Sequence, residues 1–329
     1  MSLILNADTA LANAEASWVG IAPRLRVNAT AYTLSVVRTR LTGKAKRIVV
    51  RLDAPEQPSF ILKMNLEGVD QNHFENSVTA HRRAAEIFAG HKDLCAPKLI
   101  HVDEREQLIL LEHVPGYNAH DALSLATSPS DRAYILGACG RWLGHLHQST
   151  FVRKNKINPN AMKKFVEAQK DRVDAGTLKV PNPSLFVACA IETLKVAESA
   201  RGKETALAAT HGDMNLQNII LGPNGTFGID FGAVHNAPIG HDLARFFVNF
   251  ANYHFPDAAS ANDPSWLAVD HNSFFEGYGL EYQDDPSFHY LMRTQVLKEW
   301  TSIPKDAESR NTLHKRRWKG TKLLVDLLF

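Results

Sequence analysis

Hydrophobic and polar positions change period several times along the chain. Residues 8–18 are alanine-rich and follow a capping-type residue, Asp8, so the opening stretch is expected to be helical. Residues 32–41, 47–52 and 60–64 are rich in β-branched and apolar side chains, which predicts three antiparallel strands. Within residues 72–89, Val78, His81, Ala85 and Phe88 recur at helical spacing and mark a buried stripe. Strands are expected again at 96–100 and 107–111, before Pro115-Gly116 breaks the pattern. Beyond that break the chain reads as helical. An amphipathic helix over 131–148 carries Tyr134, Ile135, Leu136, Trp142, Leu143 and Leu146, and further helices are expected over 161–171 and 183–200. One hairpin interrupts them: the apolar runs 219–221 and 226–229 flank Gly222-Pro223-Asn224-Gly225, a dense cluster of turn residues. Gly240 to Arg245 opens another helix, with Asp242 placed to satisfy orphan backbone N–H groups near its start. A strand-rich first part, 1–115, and a mainly helical second part, 116–329, make the chain α+β.

Composition narrows the class. With 329 residues, 44% hydrophobic and 22% charged, the chain can bury sizeable cores. A net charge of +2 gives no ground to expect a nucleic-acid or membrane partner. The one basic cluster, His314 to Lys319, is read as the solvated face of a C-terminal helix. Cys95, Cys139 and Cys189 are widely spaced and form no C-x-x-C pair, so neither a disulfide framework nor a zinc site is expected. With no signal-peptide pattern and no apolar run of membrane-spanning length, the expected compartment is the cytoplasm. Oligomeric state is left open.

The hairpin gathers the chemistry. Pairing Leu221 with Thr226 and counting outward brings Asn218 beside Ile229 and Asp230, with Asp213 just upstream. Hard oxygen donors of this kind suit Mg²⁺, which takes one or two protein carboxylates together with substrate phosphates. Lys63 in Phe60-Ile61-Leu62-Lys63 sets a charge beside apolar neighbours on a strand, where a snorkelling surface lysine is the plainer alternative. The connection from Leu41 to Arg47 holds Gly43 among three cations, enough for a hairpin tip to lie over a polyphosphate, although a lone glycine is more often only a turn. His145 and His147 stand two residues apart on a helix, face different ways, and are expected in core or capping roles.

His211-Gly212-Asp213, then Asn218, then the hairpin and Asp230-Phe231-Gly232, follow the order of parts in phosphoryl-transfer enzymes. With glycine inside His-Gly-Asp, the stretch resembles the aminoglycoside phosphotransferase and choline kinase family, whose fold is similar to that of protein kinases. The resemblance is carried by residues 60–63, 110–116 and 211–244. It implies a two-lobe fold, with 1–115 binding nucleotide and 116–329 carrying catalysis and substrate binding. It also implies that Asp213 is the catalytic base, that Asn218 and Asp230 hold the metal, and that Lys63 contacts the α and β phosphates. By the same resemblance, a helix glutamate, Glu75 or Glu86, pairs with Lys63, and Glu112 and Val114 contact the adenine through the main chain. Asp242 would brace the catalytic loop. Asn215 stands where many relatives carry histidine.

The function expected is ATP-dependent, Mg²⁺-requiring phosphorylation of a small-molecule hydroxyl, with GTP as donor left open. A set of acids and aromatics able to line a pocket for a cationic acceptor lies in the last quarter: Asp257, Asp263, Trp266, Asp270, Phe274, Phe275, Glu276, Tyr278, Glu281, Tyr282, Asp284 and Asp285. The run from Asp230 to Asp242 is too short for a full activation segment and no Ala-Pro-Glu follows, which disfavours a protein kinase, while a macromolecular acceptor stays open. A metal-dependent phosphohydrolase built on His211, Asp213, His241 and Asp242 is the rival reading, and it leaves Lys63 and the hairpin unexplained. A nucleotide-binding module without catalysis is a third, against which the full set of Lys63, Asp213, Asn218 and Asp230 argues.

Overall fold

The computed structural model describes residues 6–43, 45–232, 236–254, 265–279, 281 and 284–329. In chain order the elements are α1 (Ala7–Ile21), β1 (Thr33–Arg40), β2 (Lys46–Asp53), β3 (Phe60–Glu67), α2 (Gln71–Ile87), β4 (Leu94–Cys95), β5 (Leu99–Asp103), β6 (Leu108–Glu112), β7 (Tyr117–Asn118), α3 (Ala119–Leu125) and α4 (Pro129–Ser149). There follow β8 (Arg153–Lys156), α5 (Asn160–Asp174), α6 (Pro183–Ala200), β9 (Glu204–Ala209), β10 (Ile219–Gly222), β11 (Gly225–Gly228), β12 (Asn236–Pro238), α7 (Gly240–His254), α8 (Ser265–Tyr278), α9 (Pro286–Trp300) and α10 (Thr312–Leu328). The chain divides into two compact units. One comprises residues 1–91, 95–115 and 229–233; the other comprises 92–94, 116–228 and 234–329.

The first unit is built on an antiparallel sheet of order β1-β2-β3-β6-β5. Alternation buries Ile48, Val50 and Leu52 of β2 with Phe60, Leu62 and Met64 of β3 on one face. Helix α1 covers that face, with the Trp18 ring 4.8 Å from Tyr32 and 5.9 Å from Phe60. Its cap is Asn6, whose side chain accepts from Thr9 N–H, rather than Asp8, which sits inside the first turn. By the same alternation Lys63 lies on the opposite face of β3, paired in register with Val49 and Ile109. Helix α2 buries Phe74, Val78, Ala80, His81 and Ala84; of the expected stripe Val78, His81 and Phe88 are buried, while Ala85 is only half-buried and Ala84 takes its place.

The second unit is mainly helical. Helix α4 meets α8 with backbones nearly touching: a Cβ added at Gly140 would lie 2.0 Å from Phe274 O, and one at Gly144 would lie 2.3 Å from Tyr278 O. Glycine is therefore required at both crossings, and the approach lets Phe274, Phe275 and Tyr278 fill the core beside Phe246. The hairpin pairs Leu221 with Thr226 as the turn chemistry predicts, and its ladder runs to Ile219 and Gly228. A small sheet of order β12-β9-β8 leads into the residues after Ala209. The three cysteines are free. Among the described residues no helix is long and apolar enough to cross a membrane.

Candidate functional site

Between β9 and β10 the chain makes a loop whose centre is anchored and whose acid is exposed. Met214 and Leu216 are buried and pin the loop to the core. Asn215 starts a single helical turn, Leu216–Asn218, by accepting from Gln217 N–H, and its own amide donates to Asp213 O at 2.9 Å. The buried Asn218 donates to the same carbonyl at 2.8 Å, so Asp213 and Asn218 are brought together. Gly212 sits at φ +81°, a left-handed conformation that glycine adopts without strain and other residues rarely take. The result is an Asp213 side chain 63% exposed on a tightly held backbone.

Asp242 supplies much of that hold. Its carboxylate, 0% exposed, accepts the N–H of His211 at 2.6 Å and of Gly212 at 3.2 Å. Here the acid of α7 serves the amides of another loop. Burial works to raise its pKa, but the His147 hydrogen bond, the charges of His147 and His211 and the His211 amide outweigh it, so the group is held below the usual carboxylate value. His147, a core residue as expected, lies 3.1 Å from Asp242 through Nε2 and 2.7 Å from the Tyr278 hydroxyl through Nδ1. The Nε2–H of His147 donates to Asp242, and Nδ1 shares a second hydrogen bond with the Tyr278 hydroxyl.

In the first unit, Lys63 and Asp230 form an ion pair. Asp230 adopts φ +60°, an energetically costly conformation for a non-glycine residue. Phe231 next to it packs edge-on against His81, with centroids 5.4 Å apart, and His81 Nε2 lies 2.7 Å from Pro97 O. Glu75 is not brought to Lys63; it accepts from Gln71 one turn earlier. Gly43 lies in the connection after β1 at φ +86°, while its neighbour Lys44 lies outside the described residues. At the end of β6, Glu112 N–H donates to Lys98 O and its carboxylate accepts from Lys98 N–H. His113 N–H donates to Ser59 O, which leaves the Val114 amide without a hydrogen-bond partner among the described residues.

Sequence patterns did not single out Arg245. It follows Asp242 by one helical turn on α7, and its Nη1 lies 3.0 Å from Asp213 Oδ1. Arg245 also lines a cavity of 280 Å³ in the second unit, formed by Met162 and Phe165 of α5, His241 and Ala244 of α7, and Leu291, Thr294, Gln295 and Lys298 of α9. The acids and aromatics of the last quarter are placed elsewhere. Asp270 pairs with Arg132 at 2.6 Å, Asp285 caps α9 and accepts from Thr205 and Ala206, and Phe274, Phe275 and Tyr278 are core. Asp257, Asp263, Tyr282 and the Trp266 side chain lie outside the described residues.

Among the described residues no group of three or more His, Cys, Asp or Glu side chains is placed to hold a metal ion. With Asp242 engaged by two amides and His147, a histidine and aspartate cluster of the hydrolase kind is not supported. Asn218 and Asp230 fit a different demand. Asn218 uses its Nδ2 on Asp213 and keeps Oδ1, and Asp230 offers a partly exposed carboxylate. Each is a hard oxygen donor of the type Mg²⁺ takes alongside phosphates.

Among curated proteins none matches significantly in sequence. Solved structures match in fold. A glucosamine kinase superposes with a TM-score of 0.62 at 16% identity, covering 96% of this chain and 82% of its own; another structure of such a kinase holds glucosamine, ADP and inorganic phosphate. A choline/ethanolamine kinase family protein from Mesorhizobium loti gives 0.59 at 15% identity, covering 96% and 95%. A spectinomycin phosphotransferase, in complex with ADP and spectinomycin, gives 0.53 at 15% identity, covering 90% and 89%. The fold is thus the protein-kinase-like α+β fold of these phosphotransferases. A sequence model of the phosphotransferase enzyme family matches residues 38–282, well over half of the chain, and on that match the chain belongs to the phosphotransferase enzyme family.

Proposed function

We propose that the protein is an ATP-dependent kinase that phosphorylates a hydroxyl of a small molecule. The observation that carries this is the loop from His211 to Asn218, which holds an exposed carboxylate on a backbone fixed by Asp242 and tied to Asn218. Asp213 orients the acceptor hydroxyl and takes its proton. The acceptor oxygen forms a bond to the γ-phosphorus, the bond from that phosphorus to the β–γ bridging oxygen breaks, and its electron pair leaves with ADP. Lys63 meets the α and β phosphates, and the Val114 amide, the one left over at the end of β6, meets the adenine. Gly43 covers the polyphosphate. Asn218 and Asp230 would hold Mg²⁺, which neutralises phosphate charge when bound. Nucleotides in the glucosamine kinase and spectinomycin phosphotransferase structures support a nucleotide donor.

The experiment is ADP formation with a panel of aminoglycosides, amino sugars, choline-like alcohols, sugar alcohols and hydroxy acids, in wild type and Asp213→Asn. Acceptor-dependent turnover that falls about 10²–10⁴-fold in the variant is expected, the range for a lost general base. Unchanged turnover in Asp213→Asn would defeat the mechanism.

A further inference from the structure

The cavity beside Asp213 has a charge balance of its own. Its lining includes two cations, Arg245 and Lys298, and no aspartate or glutamate. Arg245 uses one guanidinium nitrogen on Asp213 and retains others, since the fork carries five N–H donors. Lys298 has no carboxylate partner among the described residues, because the adjacent Glu299 is engaged by Arg317, Asn252 and Gln295. Partial desolvation first, and then the charge of Arg245, lower the Lys298 pKa against the smaller opposing effects of Glu299 and Asp213. Phe165 and Met162 close the apolar side, and Gln295 keeps its amide oxygen for a hydroxyl. A volume of 280 Å³ lies just under the ~300–1,000 Å³ of sites for drug-sized ligands, so the occupant is small.

Resting on the kinase reading above, we propose that the acceptor is a small hydroxylated anion whose acidic group sits against Lys298 and the free face of Arg245, presenting its hydroxyl to Asp213. The acid is a carboxylate or a phosphate, both of which these cations recognise. Of the carboxylates that favoured a cationic acceptor, Asp270 and Asp285 are engaged in pairing and capping.

Calorimetry of the full chain with ADP and Mg²⁺ present tests it, using matched probes: glycerate against glycerol, gluconate against glucose and glucosamine, and glycerol 3-phosphate. At least one anion is expected to bind tenfold or more tighter than its neutral and cationic counterparts. Lys298→Glu is expected to abolish that preference and Lys298→Met to reduce it; Lys298 is exposed on α9, so both variants are expected to fold. Comparing glycerate with glycerol 3-phosphate separates carboxylate from phosphate. Absence of any anion preference, or a preference that survives Lys298→Glu, overturns the inference. A separate ADP titration and a turnover assay on the same preparation keep the two readings apart: ADP binding without anion preference removes only this inference, whereas absence of both ADP binding and acceptor-dependent turnover removes both.

Discussion

Asp242 does for one loop what a capping residue does for a helix end, and it does so fully buried. Asp242→Ala would strand two loop amides and His147, so it is expected to cost about 3–5 kcal/mol, the range for breaking a buried charged pair, measured by denaturant unfolding. Asp230 behaves differently, because its backbone works against its identity. Asp230→Gly removes the strain of φ +60° together with the ion pair to Lys63, whereas Asp230→Ala removes the pair and keeps the strain. The glycine variant should therefore be more stable than the alanine variant by about 1 kcal/mol, with both inactive. Equal stabilities would show that strain at this residue is negligible. At this scale the sequence displayed Asp213, Asn218 and Asp230 through spacing alone. It hid the pairings of Arg245 and His147, whose partners lie 32 and 95 positions away along the chain. No local period announces a pairing of that kind.

Elements with a strong period were legible and those without one were not. Helix α6 spans Pro183–Ala200 as its pattern predicts, and the hairpin register follows from its turn residues. The sheet of β8, β9 and β12 went unread because Arg153–Lys156 is wholly polar and half of Glu204–Ala209 is alanine, a residue depleted in strands. The closeness of α4 and α8 was equally invisible, since glycine in a helix usually marks a weak point rather than a contact. Gly140→Ala is expected to lower stability by about 1–3 kcal/mol, the cost of overpacking, because its methyl would meet the Phe274 carbonyl. A thermal midpoint unchanged from wild type would argue against that contact.

Across the molecule, buried imidazoles make the fold sensitive to acid. Burial lowers the pKa of His81 in the first unit and of His241 in the second, and burial with the charges of His120, Arg132 and Arg316 brings His254 down to about 3. Folded pKa values below the ordinary 6.5 mean that the unfolded chain binds more protons, so the stability these groups confer is present above pH 6.5 and lost as pH falls. For His254 the loss continues to about pH 3, and Asp242, also depressed, adds its own loss below the usual carboxylate value. Denaturant midpoints should therefore fall steadily from pH 7 to pH 4.5, and a flat profile would contradict the burial of these imidazoles.

The loop carrying Asp213 is proposed to perform phosphoryl transfer to a hydroxyl. The most direct test of this is the rate of acceptor-dependent ADP formation in Asp213→Asn, with ADP affinity measured on the same preparation. A fall of about 10²–10⁴-fold with ADP affinity retained is predicted. Phosphoryl transfer at the wild-type rate in that variant would contradict it.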